Sequence, residues 1–285
     1  TASALIKMII LLGTTITLGL VKYVDNIDES PVLVAICVLS IASLIGIMDD
    51  ISILNRKEKA WFITFASLPL IISQKGENVI DILIYQIEFS GSYYYLFWLV
   101  LVPIGISGIA NALNMSGGYN GVESGQMVVI SLTLVIISLI REVDLSITIV
   151  FAGVFGASFA LYLFNKYPAK IFIGDVGQLG FGAVLGSAVI MSGLIIFGVI
   201  CILPAFYELF ATLKYKFLNI ERKEVCRDPI IMPDGTLKPP DFASDYTLFY
   251  LILSKKPLSE KGLSNIIISI YCFFGIISII VSLFT

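Results

Sequence analysis

Apolar runs recur along the whole of this chain, and polar residues end each of them. The runs fall at about 4–22, 31–48, 60–73, 93–110, 126–140, 146–164, 177–191, 193–218 and 263–284. Most are long enough to cross a hydrocarbon layer of about 30 Å as a helix. A segment in lipid must satisfy its own backbone polar groups, so the runs predict about nine transmembrane helices. The run at 60–73 is short, which predicts a tilted or partly interfacial segment. Composition agrees, with 58% of the 285 residues hydrophobic, 14% charged and a mean hydropathy of +0.96. A soluble domain cannot hide that much apolar surface. The expected fold class is an all-α, polytopic helical membrane protein. Residues 1–285 form a single membrane-embedded domain with a long polar loop at about 219–262.

The same composition removes several chemistries. The chain contains no histidine, which excludes serine–histidine and cysteine–histidine nucleophile systems, imidazole metal sites and histidine proton relays. Cys37, Cys201, Cys226 and Cys272 show no CxxC spacing and read as unpaired packing residues. Net charge is −3, and no basic patch of the kind nucleic acid requires is present.

Basic residues set the orientation. Loops after the second, fourth, sixth and eighth runs hold Arg56, Lys57, Lys59, Lys166, Lys170, Lys214, Lys216, Arg222, Lys223, Arg227, Lys238, Lys255, Lys256 and Lys261. The opposite loops hold Lys22, Lys75 and Arg141. The first face is therefore expected to be cytoplasmic. In the long loop, Pro233-Asp234-Gly235 reads as a turn between two short extended pieces. Residues 245–256 are expected to lie on the membrane surface with Tyr246, Phe249, Tyr250 and Leu251 facing lipid. Glu208 is expected to snorkel toward Lys214 and Lys216.

Three polar motifs reach that one face. Asp49-Asp50 ends the second run, and adjacent carboxylates persist where a cation or a shared proton relieves their repulsion. Lys59 follows within reach of anionic oxygens; the plainer alternative is a solvated acidic helix end. Asn111 and Asn114 share a helix face if the fourth helix continues through them. Amide oxygens suit magnesium, and Gly117, Gly118 and Gly121 permit close backbone approach. A glycine-rich break between two spans is the alternative. Gly174-Asp175 opens the seventh helix, where the dipole favours a carboxylate, or where Asp serves as a simple cap. Gly177, Gly180, Gly182 and Gly186 read as helix-packing residues. Arg227 offers a planar fork suited to a diphosphate, or is an ordinary loop arginine.

Together, the "DD" at 49–50, the "NxxN…GxNG" from Asn111 to Gly121 and the "FxGD" at 172–175 resemble the polyprenyl-phosphate N-acetylhexosamine-1-phosphate transferases of glycosyltransferase family 4. The resemblance covers about the whole chain. Bacterial members usually carry aspartates where Gly117 and Asn120 stand, and a histidine-rich motif. "GGYNGVESGQ" at 117–126 instead looks like the archaeal and eukaryotic dolichyl-phosphate GlcNAc-1-phosphate transferases. Family members have ten helices, so a first helix is expected to be missing before Thr1.

The resemblance implies transfer of GlcNAc-1-phosphate from UDP-GlcNAc to a polyprenyl or dolichyl phosphate, releasing UMP. This is the first step of lipid-linked oligosaccharide synthesis for protein N-glycosylation. It matches Asn114 and Asp175 to ligands of magnesium (or manganese) and Asp49 and Asp50 to the carboxylate pair acting in chemistry. Gly118 and Asn120 match the uridine site, Phe172 the ring stacking on uracil, Lys59 and Arg227 the phosphate-holding residues, and Asn111 a nearby polar position. The active site would face the cytoplasm, from the plasma membrane of an archaeon or the endoplasmic reticulum of a eukaryote. A homodimer is compatible with the chain. The alternatives are a bacterial-type undecaprenyl-phosphate transferase and, from a different class, a lipid or sugar transporter.

Overall fold

The computed structural model describes residues 13, 27–52, 54–82, 85–217, 229–240 and 247–285. In chain order these form α1 (Ser30–Ser52), α2 (Arg56–Phe62), a 3₁₀ turn (Ile63–Ser67), α3 (Leu68–Ser73) and a hairpin of β1 (Val79–Ile82) with β2 (Tyr85–Glu88). Then come α4 (Ser92–Leu96), a π turn (Phe97–Leu101), α5 (Val102–Met115), α6 (Val122–Ile140), α7 (Leu145–Asn165), α8 (Gly174–Met191) and α9 (Ile195–Phe217). The chain closes with β3 (Ile230–Ile231), β4 (Leu237–Lys238), α10 (Leu248–Lys255) and α11 (Glu260–Phe284). Among the described residues seven helices are long and apolar enough to cross a membrane, taking Ser92–Met115 as one. The protein is a polytopic helical membrane protein. The apolar run at 4–22 lies outside the described residues except for Gly13.

The expected short span at 60–73 is three pieces. Its start lies by the α1 C-terminus, where Lys59 meets Asp49, and its end by the α1 N-terminus, where Lys75 meets Asp28 at 2.7 Å. The sixteen steps between the two lysines would cover only about 24 Å as pure α-helix. The 3₁₀ turn stretches the segment, because that geometry rises about 2.0 Å per residue. Five such residues add only about 2.5 Å, so the long side chains of Lys59 and Lys75, reaching Asp49 and Asp28, complete the span along α1. Lys75, with the Ser30 hydroxyl and amide, holds the Asp28 carboxyl below the usual carboxylate range.

At the centre stands α8, buried from Val176 to Met191, with α1 and α5 packed on it. Small residues make this possible. A Cβ on Gly46 would sit 2.6 Å from the Val176 backbone, and one on Gly182 2.7 Å from Ala110 Cα. Lipid offers no hydrophobic drive between helices, so close backbone packing supplies much of the association. The α8 glycines at 180 and 182 serve packing, as expected from the sequence.

The smaller elements are antiparallel hairpins. Strand β1 pairs Val79 with Glu88 and Ile82 with Tyr85 in β2. The Pro233-Asp234-Gly235 turn joins β3 to β4, with Ile231 opposite Leu237 and Gly235 at φ +80°. One expectation is corrected. α10 does not turn Phe249 and Tyr250 toward lipid: they are 1% and 0% exposed, packed inside the protein. Tyr246 lies outside the described residues.

Gly46→Ala is expected to cost about 2–3 kcal/mol, since the new methyl would meet backbone that cannot yield. Gly108→Ala, where a Cβ meets nothing within 4 Å, should leave the protein unchanged or slightly stabilised. Thermal unfolding of both variants in detergent checks the contrast; equal midpoints would contradict the packing argument.

Candidate functional site

Four helix ends deliver polar side chains to one place. α1 continues through Asp49 and Asp50 to Ser52. The chain turns at once into α2, where the Asn55 amide donates to Glu58 Oε2 at 3.0 Å. This reciprocal start fixes the first turn of α2 and aims Lys59 back at α1. Asp49 is held on its other side by the Leu54 amide, which donates to Oδ1 at 2.8 Å. Lys59 Nζ then stands 2.9 Å from Asp49 Oδ2 and 2.7 Å from Asp175 Oδ1. The Asn114 amide donates to the same Asp175 oxygen at 2.8 Å. One ammonium thus contacts both Asp49 and Asp175.

Two carboxylates this close repel unless a cation separates them. Here the Lys59 ammonium fills that place. The side chains are 16% (Lys59), 11% (Asp49) and 28% (Asp175) exposed, so the cluster is partly dehydrated and its electrostatics are stronger than in open water. Asp50 is adjacent: a Cβ on Gly174 would lie 3.8 Å from its Oδ2. Asp49, Asp50, Lys59, Asn114 and Asp175 are therefore brought together around the α8 N-terminus.

The other sequence candidates are placed differently. Asn111 turns one helical turn back, donating to the Ser107 carbonyl at 2.8 Å. Ser107 in turn donates to the Ala60 carbonyl and ties α5 to α2. Gly118 (φ +123°) has open space beside it, and Phe172 is 62% exposed ahead of Gly174. The Asn120 backbone N–H donates to Glu260 Oε1 at 2.9 Å. Arg227 lies outside the described residues.

Several organising residues were not singled out by the sequence. Gln126, fully buried, accepts from Ser116 Oγ and donates to the Leu113 carbonyl, stapling the end of α5 to the start of α6. Glu123 and Gln178 crowd Gly117, where a Cβ would meet Glu123 Oε1 at 2.6 Å and Gln178 Nε2 at 2.8 Å. An aspartate at 117 would need Glu123 to move. Glu208 is buried inside the protein rather than at its surface. It is 0% exposed, and its Oε2 accepts the Leu248 amide at 2.8 Å, capping α10. That cap presses Phe249 against Tyr119, ring centroids 4.7 Å apart. The loop between Asn114 and Asn120 is thus braced by α10 and by Glu260 of α11. The signal for Glu208 was available: a carboxylate inside an apolar run, which lipid does not tolerate without a partner.

No group of three or more histidine, cysteine, aspartate or glutamate residues among the described residues is arranged to hold a metal ion. Magnesium, however, commonly takes one or two carboxylates, with waters and substrate phosphates completing its shell. Asp175 and Asp49, with the Asn114 amide oxygen, are hard donors of that kind, and an ammonium already stands between the carboxylates. The donor set fits a divalent cation.

Comparison with known proteins points the same way. Residues 32–193 match the family described as glycosyl transferase family 4. That stretch includes every member of the carboxylate cluster. The chain is 33% identical over 269 residues to a protein of Methanocaldococcus jannaschii provisionally named a glycosyltransferase, covering 93% of this chain and 82% of that one. A Sulfolobus acidocaldarius protein provisionally named UDP-N-acetylglucosamine–dolichyl-phosphate N-acetylglucosaminephosphotransferase is 33% identical over 154 residues, covering 52% of this chain and 44% of its own length. A phospho-N-acetylmuramoyl-pentapeptide-transferase of Chlamydia caviae is 35% identical over 98 residues, covering 33% of this chain and 28% of its own. The match thus spans less than half the length of the last two.

Glu208→Ala is expected to lower stability by about 1–2 kcal/mol by leaving the Leu248 amide without its acceptor while the Thr247 cap remains and to speed proteolysis around α10. Glu208→Gln keeps an acceptor and should lose less. Indistinguishable melting and cleavage in the two variants would contradict the capping role.

Proposed function

Because the chain belongs to glycosyl transferase family 4, we propose that it is a phosphoglycosyl transferase moving GlcNAc-1-phosphate from UDP-GlcNAc to a polyprenyl or dolichyl phosphate, with release of UMP. The observation that carries this reading is the Asp49–Lys59–Asp175–Asn114 cluster at the ends of four helices. A cation-bridged carboxylate pair beside a helix N-terminus suits a diphosphate, whose charge must be neutralised while it is positioned. The excess of basic residues in the loops of that face supports a cytoplasmic site.

In the reaction, a phosphate oxygen of the lipid forms a bond to the β-phosphorus of the sugar nucleotide. The bond from that phosphorus to the bridging oxygen breaks, and UMP departs with the electron pair. Asp49 or Asp50 accepts or orients the lipid phosphate proton. Lys59, already between two carboxylates, is placed to offer its charge to the diphosphate oxygens. Asn114 fixes the rotamer of Asp175 through its hydrogen bond. Phe172, exposed at the α8 entrance, offers a face for the uracil ring, and Gly118 leaves room beside it. Magnesium held by Asp175 and Asn114 would supply charge neutralisation at the diphosphate.

The crowding of Gly117 by Glu123 and Gln178 favours the dolichyl-phosphate branch over the bacterial one, where an aspartate usually occupies that position. A transporter would place ionisable groups near the middle of the bilayer at broken helices. Here the cluster sits at helix ends.

Asp175→Asn in folded protein should cut UMP release from UDP-GlcNAc, with polyprenyl phosphate and magnesium supplied, by about a hundredfold or more. UDP-glucose should be a poor donor. Unchanged turnover in the variant would remove Asp175 from the reaction. Lys59→Gln should melt at lower temperature than the parent in the absence of magnesium, and the gap should narrow when magnesium is added. A gap insensitive to magnesium would argue against a cation replacing the ammonium.

A further inference from the structure

A second polar cavity of about 270 Å³ opens between the C-terminal end of α7 and the first turns of α11. It lies over the start of α6, which packs against both helices. Gly125 of α6 lets the two helices close on α6 beside it: a Cβ there would meet Ile268 of α11 at 2.5 Å and Tyr162 of α7 at 3.4 Å. The walls include Lys166 and Lys261, both exposed, with Asn120 and Ser264 deeper. Neither lysine makes an ion pair among the described residues. Ser264 is 4% exposed, and among the described residues neither its Oγ nor the Oδ1 of Asn120 has a hydrogen-bond partner. The neighbouring carboxylate, Glu260, has one oxygen engaged by the Asn120 backbone N–H.

None of the Asp49–Lys59–Asp175 cluster lines the cavity; Asn120, matched by resemblance to the uridine site, is the residue that the cavity shares with the loop beside that cluster. A cation in the first turn of a helix opposes the helix dipole, and the cavity lining carries two lysines, Lys166 and Lys261, and no carboxylate, with Glu260 next to it held on one oxygen by the Asn120 backbone. A buried hydroxyl without a partner is costly unless a ligand or water completes it. The place in the fold decides the ligand. Helix α11 has only 28% of its apolar window buried in the protein, and apolar surface left open on a membrane helix is suited to lipid. Tyr162 and Tyr167 line the cavity at a helix end, where tyrosines favour the membrane–water boundary. Basic pockets between membrane helices at this depth recognise phosphate-bearing head groups.

We propose that this cavity binds the phosphate of an anionic membrane lipid. Lys166 and Lys261 neutralise the charge, the Ser264 hydroxyl donates to a phosphate oxygen, and the acyl chains run down the α7–α11 edge past Ile268. An occupant would also touch Asn120 and so brace, from behind, the loop that carries Asn114.

The test is native mass spectrometry of the purified chain titrated with phosphatidylglycerol or phosphatidylcholine. A parallel arm measures thermal shift with inorganic phosphate. Phosphatidylglycerol adducts should be retained selectively, and Lys166→Gln/Lys261→Gln should weaken retention about tenfold or more. Lys255→Gln/Lys256→Gln removes the same charge from exposed positions outside the cavity and should change little. Ser264→Leu, which fills the cavity while keeping both lysines, should also reduce retention. Stabilisation by inorganic phosphate that the first double variant abolishes, without lipid selectivity, would establish the anion site but overturn the lipid as its source. Equal lipid retention in both double variants, with no phosphate effect, would overturn the proposal. None of these readouts depends on transferase activity, so failure here is separable from failure of the proposed reaction.

Discussion

One ammonium group holds the working face of this protein together. Lys59 reaches from the first turn of α2 to carboxylates on α1 and α8, 2.9 and 2.7 Å away. Without a cation between them, Asp49 and Asp175 could not both stay ionised at this separation. The rest of the site follows from that constraint. α1 and α8 must approach closely enough to share Lys59, and Gly46 against Val176 lets their backbones do so. α5 must end beside α8, and Gly182 against Ala110 permits it. Asn114 then reaches the Asp175 oxygen that Lys59 also uses.

A second layer of buried polar residues keeps the loop after α5 in register. Gln126 ties it to α6, Glu260 takes the Asn120 backbone N–H, and Tyr119 stacks on Phe249 of an α10 capped by Glu208. A buried carboxylate that accepts a helix N-terminal amide is compatible with a low-dielectric setting, whereas an unpaired one is not. Two sides of the same loop therefore face two different polar centres. One is the carboxylate cluster suited to a diphosphate. The other is the lysine-lined cavity at the lipid edge. An occupant of the proposed lipid site would therefore touch the same loop that carries Asn114.

The sequence was most legible where it was most apolar. Seven described spans coincide with predicted runs, and α8 begins at Gly174 as the "GD" motif indicated. Boundaries moved where polar residues sit inside helices. α6 starts at Val122 rather than 126, because Ser124 and Gln126 find buried partners in Asn165 and Ser116. Such pairing cannot be seen along one chain. The short run at 60–73 meets both ends of α1 only through the reach of the Lys59 and Lys75 side chains on either side of it. α10 was misjudged because its aromatic side chains pack on Tyr119 and under Glu208, residues far away in sequence.

By itself, the sequence determined that this is a helical membrane protein, which helix ends carry the acidic and amide residues, and that histidine chemistry is absent. Those properties follow from local composition and from the cost of polar groups in lipid. Only the tertiary structure decided that Lys59 stands between Asp49 and Asp175. It alone placed Asn114 on Asp175, turned Asn111 away and made Glu208 a cap for α10. Each of these is a distance between residues far apart in the chain. Such distances depend on how closely glycine-lined helices can approach, which no single segment encodes.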